Sequence, residues 1–99
     1  MLAIDRYKEF YKDDSLPSIK ESICEMPIKG KDKILNYLKK GKKGAVAPGK
    51  SFDVFTGEQI PGELYCYTDG EYVWRSDTIY YFEKYNLKLC DGIINKIVT

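Results

Sequence analysis

An α+β fold is what this sequence predicts, on three observations. Apolar residues recur at helical spacing through the first forty positions. Two alternating, aromatic-rich runs then flank a two-residue turn signal, and helical spacing returns after them. Ninety-nine residues set one compact domain, 1–99, as the expectation. With 43% apolar and 31% charged residues, the chain is too apolar for disorder and can build a core without metal or disulfide staples.

The elements follow in order. Ile4, Tyr7, Phe10 and Tyr11 predict a short amphipathic helix over 4–12, which Asp13-Asp14-Ser15 and Pro17 end. Ile19, Ile23 and Met26 share a stripe and predict a helix or turn over 18–26, closed by Pro27. The helix over 31–40 is clearer. Ile34, Leu35 and Leu38 form its apolar stripe, Lys39 and Lys40 suit the negative end of its dipole, and Gly41 stands where a left-handed C-terminal residue is wanted. Ala45-Val46-Ala47 reads as a short strand stopped by Pro48-Gly49. Residues 51–56 read as another, with Phe52 and Val54 on one face and Asp53 and Phe55 on the other.

Runs 64–68 and 71–75 flank Asp69-Gly70, the favoured type I′ hairpin loop. That loop pairs Tyr67 with Tyr72, Cys66 with Val73, and Tyr65 with Trp74. Tyr65, Tyr67, Tyr72 and Trp74 then share one side of the ribbon, where a helix over 78–86 is expected to cover them. Ser76 or Asp77 suits the N-cap of that helix and Asn86 its left-handed end. Leu87 and Leu89 make an extended exit, and 93–98 a last helical turn. The expected architecture is a small antiparallel sheet containing the Tyr/Trp-rich hairpin 64–75, packed with N-terminal, central and C-terminal helices.

The composition argues against catalysis. Histidine is absent, which removes the usual neutral-pH base and the commonest metal ligand. Cys24, Cys66 and Cys90 are widely spaced, form no C-x-x-C pair and are odd in number. Three reduced thiols in a cytoplasmic protein are expected, with Cys66 and Cys24 packing as small hydrophobes. Among the carboxylates Asp53, Glu58, Glu63, Asp69, Glu71, Asp77 and Glu83, no spacing matches a metal loop, and Asp69 has work in the turn. No enzyme activity, cofactor or metal is expected. The start MLAIDRYKEF lacks an apolar signal region, and the longest apolar or aromatic run, Ile79–Phe82, is far short of the roughly 20 residues a membrane span needs.

Charge is segregated. Residues 29–50 carry eight lysines against Asp32 alone, while both flanking segments are net acidic. With Gly30, Gly41, Gly44 and Gly49 among them, these lysines read as a mobile basic loop. One alternative function follows, a nucleic-acid-binding module using Lys39, Lys40, Lys42 and Lys43. Two features weigh against nucleic acid as a partner: the segment holds no Arg, and only Tyr37 could stack. Gly44-x4-Gly49-Lys50-Ser51 spells a phosphate loop but precedes a predicted strand rather than a helix, and reads as coincidence. Nine tyrosines and one tryptophan, mostly within 65–85, exceed what a small core needs and suit a protein interface.

The stretch FDVFTGEQIPGELYCYTDGEYVWRSDTIYYFEKYNLKL carries a resemblance, above all in Asp53–Glu58, Tyr67–Gly70, Trp74, Ser76-Asp77 and Tyr80–Tyr85. Over Val46–Leu89 the chain resembles small bacterial immunity proteins found beside polymorphic or contact-dependent growth-inhibition toxins. Members often carry Pro where Cys90 stands, a departure confined to the C-terminal exit. The resemblance implies a cytoplasmic protein that binds one cognate toxin domain 1:1 and blocks it. For a nuclease toxin, carboxylates would face the basic cleft, which makes Asp77 and Glu83 with Tyr80, Tyr81 and Tyr85 the expected contacts. The lysine-rich segment meeting an acidic toxin face is the opposite arrangement, and an interaction domain of another complex is the remaining alternative.

Overall fold

A computed structural model describes residues 2–24, 28–47, 51–62 and 64–98. The expectations for Met26, Pro27, Pro48-Gly49, Lys50 of the phosphate-loop spelling and Glu63 lie outside the described residues. The described elements are β1 (Leu2–Ala3), α1 (Lys8–Tyr11), a 3-10 turn (Ile19–Glu21), α2 (Lys31–Lys39), β2 (Lys42–Ala47), β3 (Leu64–Thr68), β4 (Tyr72–Arg75), α3 (Ser76–Tyr85) and α4 (Asp91–Val98). The class is α+β, as the sequence predicts.

The sheet runs β1-β4-β3-β2 and is mixed rather than antiparallel. β1 lies parallel to β4, with Leu2 N–H donating to Glu71 O at 2.9 Å and Ile4 N–H to Val73 O at 3.2 Å. Two strand residues carry no period of their own, so the helical spacing beginning at Ile4 masked them, and α1 starts only at Lys8. The stretch after α2 is also more ordered than a basic loop. β2 begins at Lys42, takes in Lys43 and Gly44, and pairs with β3 across an irregularity between Lys43 and Val46. Lysines on an edge strand discourage further strand addition.

The hairpin is real, but its register is slipped. Tyr67 faces Trp74, Thr68 faces Val73 and Cys66 faces Arg75. Asp69 causes the slip: its Oδ1 accepts from Glu71 N at 2.9 Å and Tyr72 N at 2.7 Å, while Thr68 Oγ1 donates to Tyr72 O at 2.7 Å. Side chains thus take bonds that a two-residue loop would leave to the backbone. The slip moves each partner by two positions, so the face assignment survives and Tyr67, Tyr72 and Trp74 still share one side.

That side is covered by α2, α3 and α4 together, not by α3 alone. Trp74 is 1% exposed, donates Nε1–H to Leu38 O at 3.1 Å, and packs with Ile34, Leu38, Phe82, Ile93 and Ile97. Each such side chain contributes roughly 1.5–3 kcal/mol by leaving water. Gly41 lacks the expected left-handed backbone: the positive-φ glycines are Gly30, Gly57, Gly62 and Gly70. Gly41 is small for another reason, because a Cβ there would sit 2.6 Å from Trp74 Cζ2. A second core of Tyr7, Ile19, Ile60, Tyr81 and Leu87 occupies another face of α3. The N-cap of α3 is Arg75, not Ser76 or Asp77, and no side chain caps it. At its other end, Asn86 does take the left-handed conformation. Cys24 and Cys66 are half-buried and Cys90 exposed, all three as free thiols.

Candidate functional site: a braced aromatic loop and a lysine face

Residues 51–56 do not form the expected strand. Phe52 makes one isolated bridge to Gln59, and between them the chain turns tightly, with Asp53 N–H donating to Glu58 O and Gly57 N–H to Asp53 O, both at 2.8 Å. Asp53 Oδ1 accepts from Phe55 N at 2.7 Å and Thr56 N at 3.2 Å, so its carboxylate offers the backbone an alternative to a sheet ladder. Its Oδ2 accepts from Tyr80 Oη at 2.8 Å and Tyr85 Oη at 2.7 Å, with Lys84 Nζ at 3.9 Å. Tyr81 fastens the same loop: its hydroxyl accepts from Val54 N at 3.0 Å and donates to Phe52 O at 3.1 Å.

The electrostatics follow from this packing. Burial pushes Asp53 upward, but the hydroxyls of Tyr85 and Tyr80 and the two backbone N–H groups outweigh it, leaving its carboxyl below the ordinary range. At Tyr81 burial prevails and raises the phenol to about 12. The loop is therefore held to α3 by a charged anchor, and on top of that anchor it presents apolar rings. Phe52 is 55% exposed and Phe55 39%, with the Phe55 ring 4.5 Å from that of Tyr85.

The residues expected to contact a partner are distributed unevenly. Asp77 is buried at 1% exposure, held by Arg75 through Nε at 3.0 Å and Nη2 at 2.8 Å and by Ser51 Oγ at 2.8 Å. Tyr81 is equally buried, so neither it nor Asp77 presents a surface for contact. The tyrosines of α3 face inward because two covers, the N-terminal segment and the 51–60 loop, pack on that side of the helix. Tyr80 and Tyr85 are half-buried around Asp53, and Glu83 is exposed in an ion pair with Lys39 at 3.2 Å. Asp77, Tyr80 and Glu83 do share a shallow cleft of about 260 Å³ with Ser51 and Ile60. Phe52, Asp53 and Phe55 read in the sequence as strand residues and are not among the expected contacts. The one local signal for them is an acidic residue inside an apolar run, followed four positions later by Gly57.

The lysines divide as well. Lys42 and Lys43 are successive strand residues and point to opposite faces, and the Lys43 ammonium lies 4.8 Å from the Tyr65 ring centre. Lys31 reaches the C-terminal end of α3, donating to Glu83 O at 2.8 Å and Asn86 Oδ1 at 2.6 Å. Among the described residues, the ammonium groups of Lys29, Lys33, Lys40 and Lys42 have no ion-pair or hydrogen-bond partner. Lys33 lies in the first turn of α2, at the positive end of its dipole, where a cation costs about 0.3–1 kcal/mol.

Among the described residues no group of three His, Cys, Asp or Glu could hold a metal ion, and no helix is long and apolar enough to cross a membrane. No protein-family model matches the chain, and neither does any curated protein or solved structure.

Proposed function

We propose that this chain is an immunity protein that binds a cognate bacterial toxin domain 1:1 in the cytoplasm and blocks it by occlusion, converting no substrate itself. The observation that carries the reading is the exposure of Phe52 and Phe55 on a loop anchored through Asp53 to Tyr80 and Tyr85. Apolar rings held in water by a braced loop are a cost to an isolated domain and an asset to an interface. The loop is already ordered, so association does not have to order it. Aromatic anchors of this kind dominate binding energy where they are found. The resemblance over Val46–Leu89, which contains this loop, points the same way.

Coexpression with the toxin domain encoded beside this chain tests the reading. A 1:1 complex and protected cells are expected. Phe52→Ser, at a side chain that is more than half exposed, leaves the fold intact and weakens the complex by about 30-fold, the equivalent of a 2 kcal/mol anchor. Unchanged affinity in that variant would show that the toxin sits elsewhere, and absence of any complex with the unaltered chain would overturn the function.

A further inference from the structure

We propose that the outer face of α2 is an electrostatic docking surface for an acidic protein face. It comprises Lys33 and Lys40, with Lys29 ahead of the helix and Lys42 after it. The inference rests on the immunity reading and names the chemistry of the partner: a toxin surface bearing exposed carboxylates.

Three observations carry it. Three carboxylates, Asp5, Asp53 and Asp77, are buried, while no Lys or Arg among the described residues is. The carboxylates the sequence offered to a basic cleft are thereby spent within the fold. Asp77 is spent on Arg75 and Glu83 on Lys39, while Asp69 and Glu71 hold Lys96. Among the described residues, the ammonium groups of Lys29, Lys33, Lys40 and Lys42 on and beside α2 are left without an ion pair, as are those of Lys12, Lys20 and Lys88 elsewhere in the fold. Second, Lys33 and Lys40 lie seven residues apart, about 10 Å along the helix, on the side away from buried Ile34 and Leu38. They form one outward stripe rather than scattered charge. Third, Lys33 sits where the helix dipole opposes it, and nothing in the fold repays that position, as Glu83 O and Asn86 repay Lys31. A local rule broken without internal compensation is characteristic of residues kept for binding.

A polyanionic nucleic acid fits this face less well. The stripe holds ammonium groups only, without the guanidinium fork that grips phosphates in pairs. The neighbouring Tyr37 is no stacking platform, because its hydroxyl donates to Asp69 and its ring lies 6.3 Å from that of Trp74. Asp32 and Glu83 border the lysines, and a surface of mixed sign tolerates them better than a phosphate chain does.

Stopped-flow association of the unaltered chain and of K29E/K33E/K40E with the neighbouring toxin domain, across a salt series, tests the proposal. The on-rate of the unaltered chain falls steeply with salt. The triple variant associates at least tenfold more slowly at low salt, with little change in off-rate, because peripheral charges act on encounter. Its thermal midpoint stays about level, since the dipole penalty removed at Lys33 offsets the one introduced at Lys40, so slow binding is not a folding defect. An unchanged on-rate in a variant that still neutralises toxin overturns the lysine face alone. Loss of binding to a 30-nucleotide polyuridine strand, with the toxin on-rate intact, reassigns the face to nucleic acid and also overturns it. Absence of a complex with the unaltered chain brings down the functional reading, and this inference with it.

Discussion

Asp5 and Asp53 are both buried, yet their surroundings give them opposite electrostatic characters. Burial dominates at Asp5 and raises its carboxyl above the ordinary value, although Thr78 Oγ1 donates to it at 2.7 Å and Arg75 N at 2.8 Å. At Asp53 four donors and Lys84 outweigh burial. The same isosteric change therefore has two outcomes. Asp5→Asn keeps an acceptor oxygen and removes a desolvated charge, so stability at pH 7 stays level or rises. Asp53→Asn leaves the phenols of Tyr80 and Tyr85 facing an amide and lowers stability by about 1–3 kcal/mol. Urea midpoints of the two variants against the parent chain decide the matter. Neither role was legible beforehand. Asp53 meets tyrosines 27 and 32 residues downstream, and only their shared helix, not its cover, could be read from spacing.

The joint between α2 and β2 depends on Gly41 and Trp74. Gly41→Ala drives a methyl to 2.6 Å from the indole, which must move, at a cost of about 1–3 kcal/mol. A lowered thermal midpoint together with a changed Trp74 fluorescence spectrum is the expected pair of results. Helix α2 was legible because three apolar residues and its closing lysines agree. The hairpin was legible in place and in face, but not in register, because Asp69 and Thr68 take over bonds that the turn type assigns to the backbone. The strand expected over 51–56 failed for the same physical reason, a carboxylate capturing N–H groups two and three residues ahead. Short polar side chains that bond locally are where alternation misleads.

Helix α3 joins two cores, and acid acts on the whole of that arrangement. Asp53, Asp69 and Glu9 all hold carboxyls below the ordinary range: burial raises each one, and hydrogen bonds outweigh it. A carboxyl lowered in the fold stabilises fully above its unfolded value, near pH 4, and that contribution disappears as pH falls through the lower folded value. Asp5, raised, runs the other way and offsets part of the loss. Urea midpoints are therefore expected to be flat from pH 7 to 5 and to fall below about pH 4, and a midpoint that rises on acidification contradicts the argument. The N-terminal segment has a separate consequence. Asp5 finds its donors 70 and 73 residues downstream, and the Tyr7 hydroxyl finds the carbonyl of Lys88 81 residues away. Until β4, α3 and the exit through Lys88 have come together these groups can bond only to water, so the segment from Asp5 to Tyr7 is expected to be late in gaining hydrogen-exchange protection as the chain folds.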